Sequence, residues 1–281
     1  MPIEIRLLQE SDIPAALRLK ELAKWNQTKR DWLRLLRLEP EGCFGATTSG
    51  QLVGTITTTT YGQSVAWVGM VLVDPDHRRR GTATALMRVA TEYLSNAGIE
   101  TIKLDATPAG RAVYESLGFR EESLIERWEG IGGVDRVDSL TLGTTRRNEL
   151  LAFDAQVFGV DRSELLELLI EDSYAAPQIA TGSDDRLKGY ALTRAGTSAV
   201  YVGPTLASDA SVATNLLDNV LSQVSDAPVY IDLNTKFEDG RSILGERGFV
   251  KQRHLIRMSY GKKSGVGLSS SIFAIAGPEL G

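Results

Sequence analysis

Val71-Leu72-Val73-Asp74-Pro75-Asp76-His77-Arg78-Arg79-Arg80-Gly81-Thr82-Ala83-Thr84-Ala85-Leu86 runs from an apolar stretch, through a proline and a turn bearing three arginines and a glycine, into a second apolar stretch. Ala66–Val73 is near-continuously apolar and reads as a buried strand. Behind Gly81, Ala83, Leu86, Met87, Ala90 and Leu94 recur at helical spacing. Gly98 stands where a helix-terminating glycine belongs. A helix N-terminus exposes unpaired N–H groups at the positive end of the backbone dipole, so this strand–turn–helix suits a phosphate. Gly81 and the small residues Thr82 and Ala83 allow close approach, and the arginines add charge. The alternative reading is a solvated basic turn. Neither G-x-x-x-x-G-K-[ST] nor G-x-G-x-x-G is present.

Working outward, Ile3–Leu7 alternates as a strand does, and Pro14 suits the first turn of a helix carrying Ala15, Leu19, Leu22 and Ala23. Thr28 opens a second helix with Trp32, Leu33 and Leu36, stopped by Pro40. Phe44–Thr48 and Leu52–Thr60 form two strands turning at Ser49-Gly50-Gln51; the second is rich in Val, Ile and Thr. Thr101–Ala106 is a further strand, followed by a short helix over 111–116 closed by Gly118.

The chain has 281 residues, 42% hydrophobic and 24% charged, which is enough for a packed core and suggests two domains. Its net charge of -5 argues against bulk nucleic-acid binding, which needs a basic footprint. The single cysteine, Cys43, excludes an intramolecular disulfide framework, and two histidines, His77 and His254, leave little for a zinc cluster; no metal is expected. With no apolar signal core and no apolar run near ~20 residues, a cytoplasmic protein without a membrane partner is expected.

The second half repeats the grammar of the first. Gly110-Arg111 and Gly118-Phe119 return at one interval as Gly240-Arg241 and Gly248-Phe249. Val71–Pro75 resembles Tyr201-Val202-Gly203-Pro204 at nearly that interval, and Val212–Val224 mirrors the helix after Gly81. The reading is an internal duplication: domains over 1–142 and 148–260, joined near Leu142–Arg147. A tail over 261–281, whose apolar Ile272–Ala276 calls for burial, is expected to dock on a domain.

Arg78-x-x-Gly81-x-Ala83, preceded by Val73-Asp74-Pro75, resembles the acetyl-CoA signature of the GNAT N-acetyltransferase superfamily, [RQ]-x-x-G-x-[GA]. The second signature of that family, Y-x-x-x-G-F, follows in order at Tyr114-Glu115-Ser116-Leu117-Gly118-Phe119. The resemblance covers residues 1–140 well, and the second half is similar to a degenerate copy. It implies an α+β fold with two tandem GNAT-like domains, each a mostly antiparallel mixed sheet flanked by helices. It further implies that Met70, Val71 and Val73 pair with the pantetheine arm of acetyl-CoA. Arg78, Arg79, Arg80, Gly81, Thr82, Ala83 and Thr84 would then surround its pyrophosphate. Tyr114 would act as general acid toward the departing thiolate, or is otherwise a core aromatic.

The chain departs from the family pattern in several places. Thr107, followed by Pro108, stands where many members carry Asn, and Trp67 stands where some carry a glutamate base. Asp105 is the nearest carboxylate, as a base or as a solvated or helix-capping side chain. Trp25, Asn26, Gln27, Tyr61 and Trp67 are the candidates for the acceptor cleft; Trp25 and Trp32 read equally as core. After Pro204 the second copy has no arginine and no glycine; Asp209 would repel phosphate, and Leu244 replaces the tyrosine. The expectation is an acetyl-CoA-dependent N-acetyltransferase with one active site, acting on a primary amine of a small molecule. Alternatives are a non-catalytic acyl-CoA-binding module and a protein or tRNA acetyltransferase. Oligomeric state is not legible.

Overall fold

The computed structural model of the chain describes residues 3–133, 140–143 and 146–281. The junction expected near Leu142–Arg147 falls partly on residues 144 and 145, outside the described residues. The chain forms two compact units, and they are not contiguous halves. The first takes Met1–Glu122, Met258–Ser264 and Leu280; the second takes Ser123–Arg257, Gly265–Glu279 and Gly281.

In the first unit the strands β1 (Glu4–Leu7), β2 (Phe44–Thr48), β3 (Gln51–Tyr61), β4 (Val65–Val73) and β5 (Thr101–Ala106) lie in that order. The pairs β1–β2, β2–β3 and β3–β4 are antiparallel and β4–β5 is parallel. Helices α1 (Ile13–Leu22), α2 (Lys29–Leu38), α3 (Thr82–Asn96) and α4 (Arg111–Ser116) connect them. Local chemistry explains the helix starts. Pro14 occupies the first turn of α1. Asp31 accepts from the Thr28 backbone N–H (2.7 Å) and from its hydroxyl (2.9 Å), closing the start of α2; such a cap contributes about 1 kcal/mol. Beside β5 the sheet takes the end of a strand from the far part of the chain, β12 (Val250–Gly261). The Lys262 N–H donates to the Glu100 carbonyl (2.9 Å) and the Thr101 hydroxyl to the Lys262 carbonyl (2.7 Å).

The second unit contains most of β6 (Arg120–Ile131), then β7 (Leu140–Thr141), α5 (Arg147–Phe158), α6 (Ser163–Glu171), β8 (Gln178–Thr181), β9 (Leu187–Arg194) and β10 (Val200–Ala207). After these come α7 (Ala210–Gln223), β11 (Pro228–Asn234), α8 (Gly240–Gly245), the first part of β12, and β13 (Ile272–Ala274). Its sheet order is β12-β6-β11-β13-β10-β9-β8-β7, with β11 also paired to β10. β6 runs antiparallel to β11 over seven pairs, Pro228↔Ile131 to Asn234↔Ile125. Leu216, Val220, Ile231, Leu233, Leu244 and Phe273 pack as one buried core. Most of the strand that follows α4 therefore belongs to the second unit, while the end of the strand that follows α8, from Met258, belongs to the first.

The match drawn between Asp74-Pro75 and Gly203-Pro204 does not hold in three dimensions. Pro75 opens a 3-10 turn after β4 has ended, whereas Pro204 lies inside β10. The structural counterpart of Gly203 is Met70: each has positive φ within a one-residue bulge of its strand.

Charged side chains inside the second unit are paired. Arg127 makes two hydrogen bonds to Asp232 (2.8 and 2.5 Å), and Tyr201 donates to the same carboxylate (3.1 Å). Arg162 grips Asp154 in the same manner (2.8 and 2.9 Å). Burial pushes the Asp232 carboxyl up, but the charge and hydrogen bonds of Arg127 outweigh it and hold it below the ordinary range. A depressed folded-state pKa contributes stability above the unfolded value of about 4 and loses it as pH falls through the folded one. Arg127→Leu leaves a buried, unpaired carboxylate and is expected to cost about 3–5 kcal/mol at pH 7. Equilibrium urea unfolding of both proteins checks this: the gap should narrow below about pH 4, and an equal gap at pH 7 and pH 3 would show that the pair is not its source.

Candidate functional site

The site is built on the divergence of two parallel strands. β4 and β5 pair from Val65↔Thr101 to Val68↔Leu104. Beyond that point β4 continues to Val73 and β5 to Ala106 with no further pair between them among the described residues. The cause lies on the other side of β4. Its register with β3 slips by one residue between Thr57↔Gly69 and Thr55↔Leu72, and Met70 takes φ 49. An extra residue in one strand bends it and increases its local twist. The Thr55 hydroxyl holds the bulge by donating to the Met70 carbonyl (2.8 Å). The Met70 side chain is buried, and Val71 and Val73 are half-buried.

From Val73 the chain enters the arginine turn. Asp74 accepts from the Asp76 N–H (3.0 Å), and Arg18 pairs with its carboxylate (2.8 Å). Burial raises the Asp74 carboxyl, while the Arg18 and Asp76 hydrogen bonds bring it below the usual range. Arg78 folds back, its Nε donating to the Val73 carbonyl (3.1 Å). Arg79 has φ 60 and Gly81 φ 83, so the chain makes two left-handed steps within three residues. A Cβ on Gly81 would meet nothing within 4 Å; the glycine is required by its backbone angle, in open space. The Ala85 N–H donates to the Gly81 carbonyl (2.9 Å), the first intrahelical bond of α3. The N–H groups of Thr82, Ala83 and Thr84 therefore precede the ladder and point out of the helix start. Arg78, Arg79, Arg80 and Gly81 are exposed around them.

Tyr114 lies on α4, the element after β5, and is partly buried. Burial alone pushes its phenol up to about 12. Its ring meets Phe119 edge-on with centroids 6.2 Å apart, and Phe119 packs on Tyr260 at 5.5 Å. Gly118 has φ 91, and a Cβ there would touch the Tyr260 ring at 3.4 Å. Thr107 closes the turn before α4, its hydroxyl and carbonyl both accepting from the Gly110 N–H (3.2 and 2.9 Å). Asp105 is partly buried just beyond the last β4–β5 pair and is engaged by another group.

The remaining candidates are placed differently. Trp67 and Trp32 are wholly buried, and Tyr61 is 3% exposed with its hydroxyl donating to the Leu280 carbonyl (2.6 Å). None of the three presents an exposed face. Trp25 is half-buried after α1, and Asn26 and Gln27 are buried, each of the three with a partner. Two features of the site had no sequence signal strong enough to read: the Met70 bulge and the Arg18–Asp74 pair that braces the turn. The Thr-rich β3, opposite an apolar β4, was the available hint.

The second unit differs where the first has its turn. Asp209 caps α7 by accepting from the Val212 N–H (3.0 Å), and Ser208 donates to the same carboxylate (2.8 Å). Leu244, in the place of Tyr114, is wholly buried. Among the described residues no group of three or more His, Cys, Asp or Glu could hold a metal ion, and no helix is long and apolar enough to cross a membrane.

Comparison with known proteins joins these observations. The profile of the acetyltransferase (GNAT) family matches residues 8–119, and that of an acetyltransferase (GNAT) domain matches residues 150–274. YitH of Bacillus subtilis, described as an uncharacterized N-acetyltransferase, is 27% identical over 99% of this chain and 98% of its own. The acetyltransferase YE1169 of Yersinia enterocolitica is 31% identical over 44% of this chain and 92% of its own. A crystal structure of a provisionally assigned acetyltransferase from Pyrococcus horikoshii shares the fold, with a TM-score of 0.83, 21% identity, and coverage of 99% of this chain and 96% of that one. The chain belongs to the GNAT acetyltransferase family and carries two GNAT domains in tandem.

Proposed function

We propose that the protein is an acetyl-CoA-dependent N-acetyltransferase with one active site, in the first unit, and that its acceptor is a primary amine of a small molecule. The observation that carries this reading is the continuity of the diverging β4 edge with the open, glycine-led start of α3. An amide-bearing arm can lie along an unpaired strand edge, and a pyrophosphate suits unpaired N–H groups at a helix start. Acetyl-CoA supplies an acetyl group activated as a thioester.

The remaining steps belong to the chain. The backbone groups of Met70, Val71 and Val73 hold and orient the arm. A β4 N–H past the bulge stabilises the charge that develops on the carbonyl oxygen during attack by the amine. Arg79 to Thr84 hold the phosphates, with Arg78 and Arg80 adding positive charge. Tyr114, its phenol near 12, stays protonated at every working pH. Full proton transfer to a thiolate, for which about 8.5 is typical, is uphill. Tyr114 therefore acts by donating a hydrogen bond to the sulfur, which leaves as a thiolate as the carbon–nitrogen bond forms and the carbon–sulfur bond breaks, while the proton lost by the neutral amine passes to water. Trp25, Asn26 and Gln27 contribute to positioning the acceptor.

Two substitutions test this assignment. Gly81→Asp places a carboxylate at the head of α3, in the manner of Asp209 on α7. Acetyl-CoA affinity, measured by calorimetry, should fall at least about tenfold, 1.4 kcal/mol, with the protein still folded; an unchanged affinity removes the loop from the site. Tyr114→Phe keeps the ring and loses the donor. Turnover on the best acceptor of an amine panel should drop about 10²–10³-fold, the loss typical of removing one donor to a developing anion, while acetyl-CoA affinity holds. A drop of less than about threefold, well short of that range, would make Tyr114 a packing residue, and an absence of turnover on every amine in a protein that binds acetyl-CoA would favour a non-catalytic binding module.

A further inference from the structure

The two units share one backbone device and fill it differently. In the second unit β10 and β11 pair in parallel over Val200↔Val229, Tyr201↔Tyr230 and Val202↔Ile231, then diverge. The divergence again follows a bulge, between Val202 and Thr205, at a residue of positive φ, Gly203. Here the wedge is occupied. β13 stands between the two strands and pairs antiparallel with both: Thr205↔Ala274 and Leu206↔Ile272 on one side, Leu233↔Ala274 on the other. The Ile275 N–H continues the ladder to the Asp232 carbonyl (3.1 Å), and the Ala207 N–H donates to the Ser271 carbonyl (2.9 Å).

The segment is also gripped by side chains. The Tyr201 hydroxyl lies 3.1 Å from the Ile275 carbonyl oxygen as well as from Asp232, so its one proton is shared between the two acceptors. Arg194 donates to the Ala276 carbonyl and pairs with Glu279 (3.1 Å). Phe273 packs edge-on against Phe237, centroids 5.3 Å apart. Ile272 to Ala276 are at most 2% exposed. Gly203 is shaped to this occupant, because a Cβ there would collide with the Ile275 carbonyl oxygen.

We propose that the wedge between β10 and β11 is a strand-binding slot whose resident ligand is the chain's own segment Ile272–Glu279, a peptide lying where the first unit takes the arm of acetyl-CoA. The identity of the ligand in the first wedge rests on the function proposed above; the seating of the peptide in the second does not. The slot is closed to acyl-CoA twice over. Its strand edges are already paired, and the helix start beyond it is capped by Asp209. One chain therefore takes one acetyl-CoA.

Hydrogen exchange of the full chain, with a parallel acetyl-CoA titration, tests the proposal. The amides of residues 272–276 should exchange as slowly as those of β10 and β11, on the order of a thousandfold slower than an open segment. Ile275→Pro removes the N–H that bonds Asp232 and should strip protection from 272–276 while leaving α3 and β4 protected; Ile275→Val keeps the N–H and the protection. Fast exchange of 272–276 in the unaltered chain would overturn the proposal, as would undiminished protection in Ile275→Pro or two acetyl-CoA bound per chain. If Ile275→Pro does not fold, exchange in the unaltered chain decides. Slow exchange of 272–276 in a chain that binds no acetyl-CoA would refute the proposed function and leave the peptide in its slot.

Discussion

The bulge at Met70 is the constraint on which the rest of the first unit depends. A strand edge without partners is costly unless water, another strand or a ligand satisfies its N–H and C=O groups. By bending β4 away from β5 after four pairs, the bulge creates such an edge inside the sheet rather than at its rim. The Thr55 hydroxyl fixes the bent conformation from behind. Arg18 then fixes the turn through Asp74, so the strand edge and the head of α3 are held in one continuous stretch of backbone. Little of this depends on side chains beyond Thr55, Arg18 and Asp74. In the function proposed above the holding is done mostly by main chain, with Gly81 permitting the turn and Tyr114 supplying the one phenol of the Y-x-x-x-G-F stretch.

The second unit shows what the same backbone becomes under other side chains. An aspartate at the head of α7 takes the amide that an anion would need, and a peptide strand takes the diverging edges. Each substitution satisfies locally what the first unit leaves open. The same fold can thus fill its diverging strands and its helix start from within the chain and keep its architecture.

Much of this was legible in the residues. Helix α3, the short helix α4 and the strands at 44–48 and 101–106 were marked by short-range signals: glycine and proline positions, caps and apolar spacing. Both signatures lie within such stretches, so the family resemblance was readable. What depended on distant pairing was not. The apolar run of β4 announces a strand but not the point where its neighbour leaves it. The run Ile272–Ala276 announces burial but not a seat between two parallel strands. Trp67, reached by counting along the chain, is wholly buried, which no count along the chain announces. Pro75 and Pro204 agree in letters and sit in different structures, because a proline marks a break in regular pairing without saying which kind.

The exchange of last strands ties the first unit to the order of synthesis. β5 ends at Ala106, yet its neighbour on that side is the end of β12, and the part of β12 that belongs to the first unit begins at Met258. At roughly 5–20 residues per second, translation leaves that edge of β5 uncovered for on the order of ten to thirty seconds. An uncovered edge is a template for pairing with any other extended chain. The nascent protein is therefore most exposed to misassembly when nearly all of its first unit already exists, and a ribosome that stops before Met258 releases a first unit lacking the strand that closes its sheet.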